Sequence, residues 1–261
     1  MKNTVVWITG ASSGIGEALV YNYSAQGARL IISSRNRDEL FRVKMQCKNP
    51  ANVHVLSLDL EQTDTLAQKA ADAIRIFGRI DLLINSGGIS QRALAIDTNI
   101  ETEERIMRIN FWGTVALTKA VLPTMIAQGG GHIVCISSLV GKFGTRFRSA
   151  YSASKHALHG YFDSLRSEVY DKKISITIAC PGFIKTNVSI NALTGDGAAQ
   201  GTMDNAQANG MSPDACAVEI VNAIRSKKEE VHIGGKEVKL LLFKRLLPAR
   251  FSKYMRNAKV T

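Results

Sequence analysis

Short runs of apolar, often β-branched residues alternate along the chain with longer stretches in which apolar residues recur every three or four positions. The runs predict strands over 5–9, 30–34, 53–58, 82–85, 132–137, 175–179 and 231–233. The longer stretches predict helices over 14–25, 37–47, 63–77, 101–125, 150–170 and 213–225. The strand segments are continuously apolar rather than alternating, the pattern of strands buried on both faces. Strand-then-helix order predicts an α/β fold: a mostly parallel, seven-stranded, doubly wound sheet with helices on both faces.

Two stretches break the rhythm. Residues 186–212 form a long irregular segment rich in Gly, Asn, Ala and Ser. Irregular segments of that length are commonly functional, so this one reads as a substrate flap, with a surface loop as the alternative. Residues 236–261 form a basic tail in which Leu240, Phe243, Leu247, Phe251 and Tyr254 recur at helical spacing among lysines and arginines. Pro248 should kink or restart that helix. The stripe suits packing on the domain or a sister subunit, the commoner use of such a face, and it also suits peripheral contact with a membrane surface.

Composition narrows the class. The chain has 261 residues, 45% apolar and 21% charged, as a single folded domain spanning 1–261 requires. The net charge is +11, but residues 225–261 hold 11 Lys/Arg against 3 Asp/Glu, so most of the excess lies in the tail. Aromatic residues make up 7%, and no recognition motif interleaves with the basic residues, which argues against nucleic acid. Cys47, Cys135, Cys180 and Cys216 lack metal or redox spacing and read as reduced core thiols; no metal site is expected. The first strand begins within a few residues of Met1, and no stretch has the length of a membrane span, so a cytoplasmic location is expected.

The first strand runs into Thr9-Gly10-Ala11-Ser12-Ser13-Gly14-Ile15-Gly16 and then a helix. Glycines there allow a tight turn and close backbone approach, and the helix start offers free N–H groups to a pyrophosphate. A strand–glycine loop–helix at the start of a βαβ unit predicts a dinucleotide site, with helix–strand packing as the alternative use of the glycines. The second strand ends at Ser34-Arg35, where an acid would favour NAD(H). A guanidinium can instead grip a 2′-phosphate, so NADP(H) is expected over NAD(H).

Tyr151-Ser152-Ala153-Ser154-Lys155 puts a phenol and an ammonium one helical turn apart. A free phenol titrates near pH ~10, and a nearby cation favours its ionised form. That suits Tyr151 to acid–base work. With Asn85-Ser86-Gly87-Gly88, Asn110, Ser138 thirteen positions before Tyr151, and Pro181-Gly182 with Thr186, the chain resembles the short-chain dehydrogenases/reductases over nearly its whole length. The resemblance implies a Rossmann-type fold and hydride transfer between nicotinamide and a carbonyl or secondary alcohol, a small-molecule substrate. It implies a catalytic set of Asn110, Ser138, Tyr151 and Lys155. Ser138 would bond the substrate oxygen, Tyr151 would give or take the proton, Lys155 would hold the ribose, and Asn110 would hold a water. The cofactor would lie along Gly10, Ser12, Ser13, Gly14, Ile15 and Gly16, then Arg35, Asp59, Leu60, Asn85 and Gly87. Tyr151 and Lys155 would also touch it, with Pro181, Gly182, Ile184 and Thr186 closing over the nicotinamide. A homodimer or homotetramer is implied as well.

Two departures from the family pattern appear. Asn85-Ser86-Gly87-Gly88 replaces the usual Asn-Asn-Ala-Gly, and Ser13 stands where many NADP(H) members carry a basic residue, which leaves phosphate recognition to Arg35. The runs at 87–92, 148–157 and 187–192 further resemble the dehydrogenase/reductase member-seven subgroup, close to the 11β-hydroxysteroid dehydrogenase-like enzymes. That subgroup acts on lipophilic carbonyl compounds, and its animal members often carry an N-terminal anchor ahead of the fold. The alternatives are a 3-oxoacyl-carrier-protein-type reductase, for which the basic tail would meet an acidic carrier, and a non-catalytic NADP(H)-binding sensor or scaffold.

Overall fold

The computed structural model describes residues 2–258, so the last three positions of the expected tail, 259–261, lie outside the described residues. Seven strands, β1 (Val5–Thr9), β2 (Arg29–Ser33), β3 (Val53–Val55), β4 (Leu82–Asn85), β5 (Gly131–Ile136), β6 (Ile174–Pro181) and β7 (Glu230–Ile233), pair in the order β3-β2-β1-β4-β5-β6-β7. Every pairing is parallel, so the mostly parallel sheet expected is parallel throughout. The third strand is shorter than the predicted 53–58. Beyond Val55 the chain keeps only single bonds to the end of β2, from Leu56 N to Ile32 O and from Leu58 N to Ser34 O.

The continuous apolar runs have a direct physical reading. Successive strand side chains point to opposite faces. Val5, Trp7, Ile31, Leu83, Ile133 and Cys135 enter one core, while Val6, Ile8, Leu30, Ile32, Leu82 and Val134 enter the other. Helices α1 (Gly14–Ala25) and α2 (Arg37–Gln46) cover the second face, through residues such as Leu19, Tyr23, Leu40 and Val43. Helix α3 (Leu66–Phe77) covers the first, with Leu66, Ala70 and Ala73.

The helix predicted over 101–125 is not continuous. It consists of α4 (Ile100–Met107), a π-helical turn over Arg108–Gly113 and α5 (Thr114–Ala127). Periodicity cannot reveal one extra residue in a turn, and such turns favour functional sites. Here the turn carries Asn110, which is fully buried. The 20-residue helix α6 (Ser149–Glu168) follows β5 and packs Leu158, Phe162 and Leu165 on the same face as α3.

The segment 186–212 is a folded flap. Its base is closed by a bridge between Ile184 and Met211. It buries Ser189, Ala192 and Leu193, and contains one helical turn, α7 (Asn205–Ala208). After it, α8 (Pro213–Arg225), capped by Ser212 Oγ on the Ala215 N–H, packs beside α1. The tail forms α9 (Lys239–Leu246) and α10 (Pro248–Asn257), with Pro248 restarting the helix at its first turn. Part of its stripe packs on its own domain, while Leu247 and Tyr254 stay exposed: Phe251 is 6% exposed and meets the rings of Phe143 and Phe243 edge-on at 5.5 and 5.7 Å. All four cysteines are buried and unbridged, and burial pushes the Cys135 thiol up to about 12.

Phe251→Ala should therefore cost about 3 kcal/mol, the scale of an emptied aromatic site. Urea unfolding monitored by circular dichroism would read it. An unchanged midpoint would mean that the tail contributes nothing to the core.

Candidate active site

The strand order reverses between β1 and β4, the point where open α/β sheets bind ligands beyond their strand ends. A cleft of about 1170 Å³ opens there. Thr9, the last residue of β1, clamps the two strand ends together: its Oγ1 accepts from the N–H groups of Ser86 and Gly87, both at 3.2 Å. Gly10 follows with φ +64°, and a Cβ on it would lie 2.8 Å from the Gly87 backbone. A Cβ on Gly16 would run into the Gly10 carbonyl. Both positions therefore exclude any side chain.

The glycine loop meets the requirements of a pyrophosphate cradle. Gly10, Ser12, Ser13, Gly14, Ile15 and Gly16 all line the cleft. The N-cap residue of α1, Ser13, makes no side-chain cap bond, so the helix start keeps N–H groups for an anion. Arg35 is exposed on the cleft wall just past β2, and Asp59 and Leu60 line the same end. Pro181, Gly182, Ile184 and Thr186 line the opposite side, with the Thr186 methyl facing Gly14.

Asn85 belongs elsewhere. It is buried, its Nδ2 donates to Thr118 Oγ1 on α5 at 3.2 Å, and it does not line the cleft. Its Nδ2 turns into the sheet–helix interface, while Gly87, the other residue expected on the adenosine side, lines the cleft.

Tyr151 and Lys155 sit together on the cleft wall. Lys155 is 5% exposed, donates to the Ile136 carbonyl at 2.8 Å and places Nζ 5.7 Å from the centre of the Tyr151 ring. Ser138 lines the cleft too, donating to the Pro181 carbonyl at 3.2 Å. Its neighbour Ser137 is 4% exposed and is held instead by His159 Nε2 at 3.0 Å. Asn110 stands behind the wall. Its side chain accepts from Ile89 N at 2.8 Å and donates to Ile89 O at 2.9 Å and Ser154 Oγ at 3.0 Å. It therefore ties the loop after β4 to the helix that carries Tyr151.

Three groups that sequence reading left without a role complete the site. Gln91 is fully buried and caps α6 from outside: its Oε1 accepts from Ala150 N at 2.9 Å and Tyr151 N at 3.4 Å. Arg92 and Arg148 line the cleft and share the flap carboxylate Asp204, at 2.5 and 3.4 Å. Glu237 and Leu240 bring the tail into the cleft wall, Glu237 accepting from Phe183 N at 3.2 Å. Gln91, Arg92 and Arg148 lie within the runs that carry the subgroup resemblance, which was the available signal. Nothing in the spacing shows that residue 91 would meet a helix sixty positions on.

A second polar cluster lies behind Ser137. His159 Nδ1 sits 3.2 Å from Glu230, and Lys142 and His232 also pair with that carboxylate at 2.7 Å. These partners, His159 first, hold Glu230 far below the usual carboxylate range. His159, Cys180 and Glu230 could converge on a metal ion, but Lys142 already supplies the cation and burial keeps the Cys180 thiol protonated. The donor set does not fit a metal.

Sequence comparison decides the family. The profile described as short chain dehydrogenase matches residues 4–196. The chain belongs to the short-chain dehydrogenase family. The enzyme is thus an NAD(P)-dependent oxidoreductase of that family, whose members act on small molecules and often form oligomers. It is 45% identical over 237 residues to a dehydrogenase/reductase SDR family protein 7-like from Anopheles gambiae, covering 88% of this chain and 75% of that one. It is 40% identical over 266 residues to dehydrogenase/reductase SDR family member 7B of Bos taurus, covering 98% and 81%. The crystal structure of a short-chain dehydrogenase from Streptomyces avermitilis aligns over 98% of this chain and 97% of its own, with a TM-score of 0.82 at 27% identity.

Replacing Gln91 by alanine strands two buried N–H groups at the start of α6. The dehydrogenase should lose about 2 kcal/mol of stability. Amide exchange at Ala150 and Tyr151 should quicken more than at mid-helix residues. Unchanged exchange there would show that another group caps the helix.

Proposed function

We propose that this dehydrogenase interconverts a lipophilic ketone or aldehyde and its alcohol, with NADP(H) preferred and Tyr151 as the proton donor or acceptor. The observation that carries the reading is continuity: the glycine loop, Ser138, Tyr151 and Lys155 line one cleft. A bound nicotinamide would supply or accept the hydride. Everything else falls to side chains. Among the described residues the Tyr151 hydroxyl has no hydrogen-bond partner, so it is available to a substrate oxygen. Lys155 keeps a buried positive charge beside it, which favours the ionised phenol when the proton leaves. The Ser138 hydroxyl can turn from the Pro181 carbonyl to the substrate oxygen as charge develops there.

The apolar share of the wall supports a lipophilic substrate: Val140, Phe143, Val188, Leu240 and Met255 line the same cleft as Tyr151. NADP(H) preference rests on Arg35, which offers a guanidinium on the cleft wall where NAD(H) enzymes place an acid.

Tyr151→Phe should lower turnover by roughly a hundredfold or more, the scale of one acid–base group, while retaining NADPH binding. Steady-state rates on a panel of ketones and aldehydes, with cofactor binding by fluorescence, would read both. A fully active variant would overturn the proton role. Arg35→Asp should shift the NADPH/NADH preference by roughly tenfold or more toward NADH, the scale of a lost charge-assisted bond. An unchanged ratio of kcat/KM values would remove Arg35 from phosphate recognition.

A further inference from the structure

The cleft wall holds a carboxylate with no cation paired to it. Strands β6 and β7 pair to their last residues, Pro181 with Ile233, and the Gly182 N–H donates to the Ile233 carbonyl at 2.7 Å. The corner Gly234-Gly235 follows, and a single helical turn over Lys236–Val238 then brings Glu237 against Gly182. Glu237 Oε1 accepts from Phe183 N at 3.2 Å and from Gly235 N at 3.1 Å. Glu237 lines the cleft together with Pro181, Gly182 and Phe183.

Two glycines make room for this group, since a Cβ on Gly182 or on Gly234 would run into Glu237 Oε1. Among the described residues no lysine, arginine or histidine pairs with it. Glu230, at the other end of β7, is the contrast: Lys142, His159 and His232 surround it. Glu237 receives only neutral N–H groups, which hold a carboxylate in place and leave its charge uncompensated. Its neighbour Lys236 is exposed, where water and salt screen it, and Lys155 is held at the Ile136 carbonyl beside Tyr151. A half-buried anion facing a cleft is stabilised by any positive charge that enters.

The stretch from Pro181 to Thr186 is the one expected to close over the nicotinamide. That ring is the part of the cofactor whose charge changes, a cation when oxidised and neutral when reduced. The phosphates and the adenosine are the same in both forms, so the glycine loop and Arg35 cannot tell them apart. A fixed negative charge beside the ring can. We propose that Glu237 sets which oxidation state of the nicotinamide this site prefers, favouring the oxidised, positively charged ring; the inference rests on the nucleotide placement above. Glu237 lies in the tail, beyond the residues 4–196 matched by the family profile. The tail thereby governs a property of nucleotide binding as well as lining the cleft.

Titration of NADP+ and NADPH into the full chain, by calorimetry and by nucleotide fluorescence, tests this through the ratio of the two affinities. NAD+ and NADH serve equally as probes, because only the ring changes charge. Glu237→Gln keeps an oxygen for both N–H groups and removes the charge. It should lower the NADP+-to-NADPH affinity ratio by about threefold or more, the scale of a partly exposed ion pair. Glu237→Asp keeps the charge and should retain most of the ratio. A ratio unchanged in Glu237→Gln, or an equal loss of both affinities, would overturn the proposal and leave Glu237 as a staple of the turn. If Glu237→Gln is too unstable to titrate, the parent decides. Salt screens attraction between partly exposed charges, so the ratio should fall from low to high ionic strength, while the phosphate contacts cancel. A ratio independent of salt would then overturn it. A parent that binds neither nucleotide pair would sink the nucleotide placement and this proposal with it. A parent that binds both forms, with a ratio unmoved by Glu237→Gln, would sink only the role of Glu237.

Discussion

The site depends on one close approach of two backbones. Where β1 and β4 lie side by side, their chains leave the sheet in divergent directions, and the cleft is the space between them. Divergence requires the strand ends to touch first. Thr9 Oγ1 accepts two N–H groups from the loop after β4, and Gly10 brings its backbone against Gly87 where no Cβ fits. A side chain at residue 10 would wedge the strands apart and misdirect both the glycine loop and the loop that holds residues 88–92. The close packing that gives a nucleotide phosphate access to the α1 terminus thus also sets the position of the catalytic wall.

That second loop is where cofactor side and substrate side are joined. Within five residues it makes three independent attachments. Ile89 is held at both its N–H and its carbonyl by Asn110 from the π-helical turn. Gln91 caps the helix that carries Tyr151 and Lys155. Ser90 and Arg92 exchange backbone bonds with Leu193 of the flap, and Arg92 adds the ion pair to Asp204. A displacement of the flap therefore pulls on the same five residues that set the first turn of α6. This gives a short mechanical path from substrate contacts to the phenol, built from buried hydrogen bonds rather than from a long chain of packed side chains.

The legibility of this fold in its sequence followed the range of the forces involved. Strands and helices were readable because burial on both faces leaves continuous apolar runs, and Gly10 to Gly16, Tyr151 and Lys155 were readable because their partners lie within a turn or a loop. Features set by distant partners were not. The break at 108–113 costs one residue of register and leaves the apolar spacing almost intact. Asn85 bonds Thr118 across the sheet–helix interface, a partner thirty-three positions on that no local pattern announces. Gln91 and Asp204 have ordinary polar identities; their roles arise from burial, which is a property of the closed flap and not of any local pattern. The amphipathic tail could equally have faced a membrane by its own periodicity. Phe143, over a hundred residues earlier, decides that Phe251 faces the domain.

The placement of buried charge has a consequence for the chemistry of the wall. Two ionic clusters flank α6 at opposite ends of its catalytic turn. Behind Ser137, Glu230 is surrounded by Lys142, His159 and His232, so the carboxylate there is compensated within the protein. Ahead of Tyr151, two guanidinium groups share Asp204, and they rather than the carboxylate face the cavity. The first cluster can only hold β5, β7 and α6 in register, because its charges are turned toward one another. Lys155 is a buried cation on the cleft wall, so negative charge developing on the phenol beside it enters a field already arranged for it.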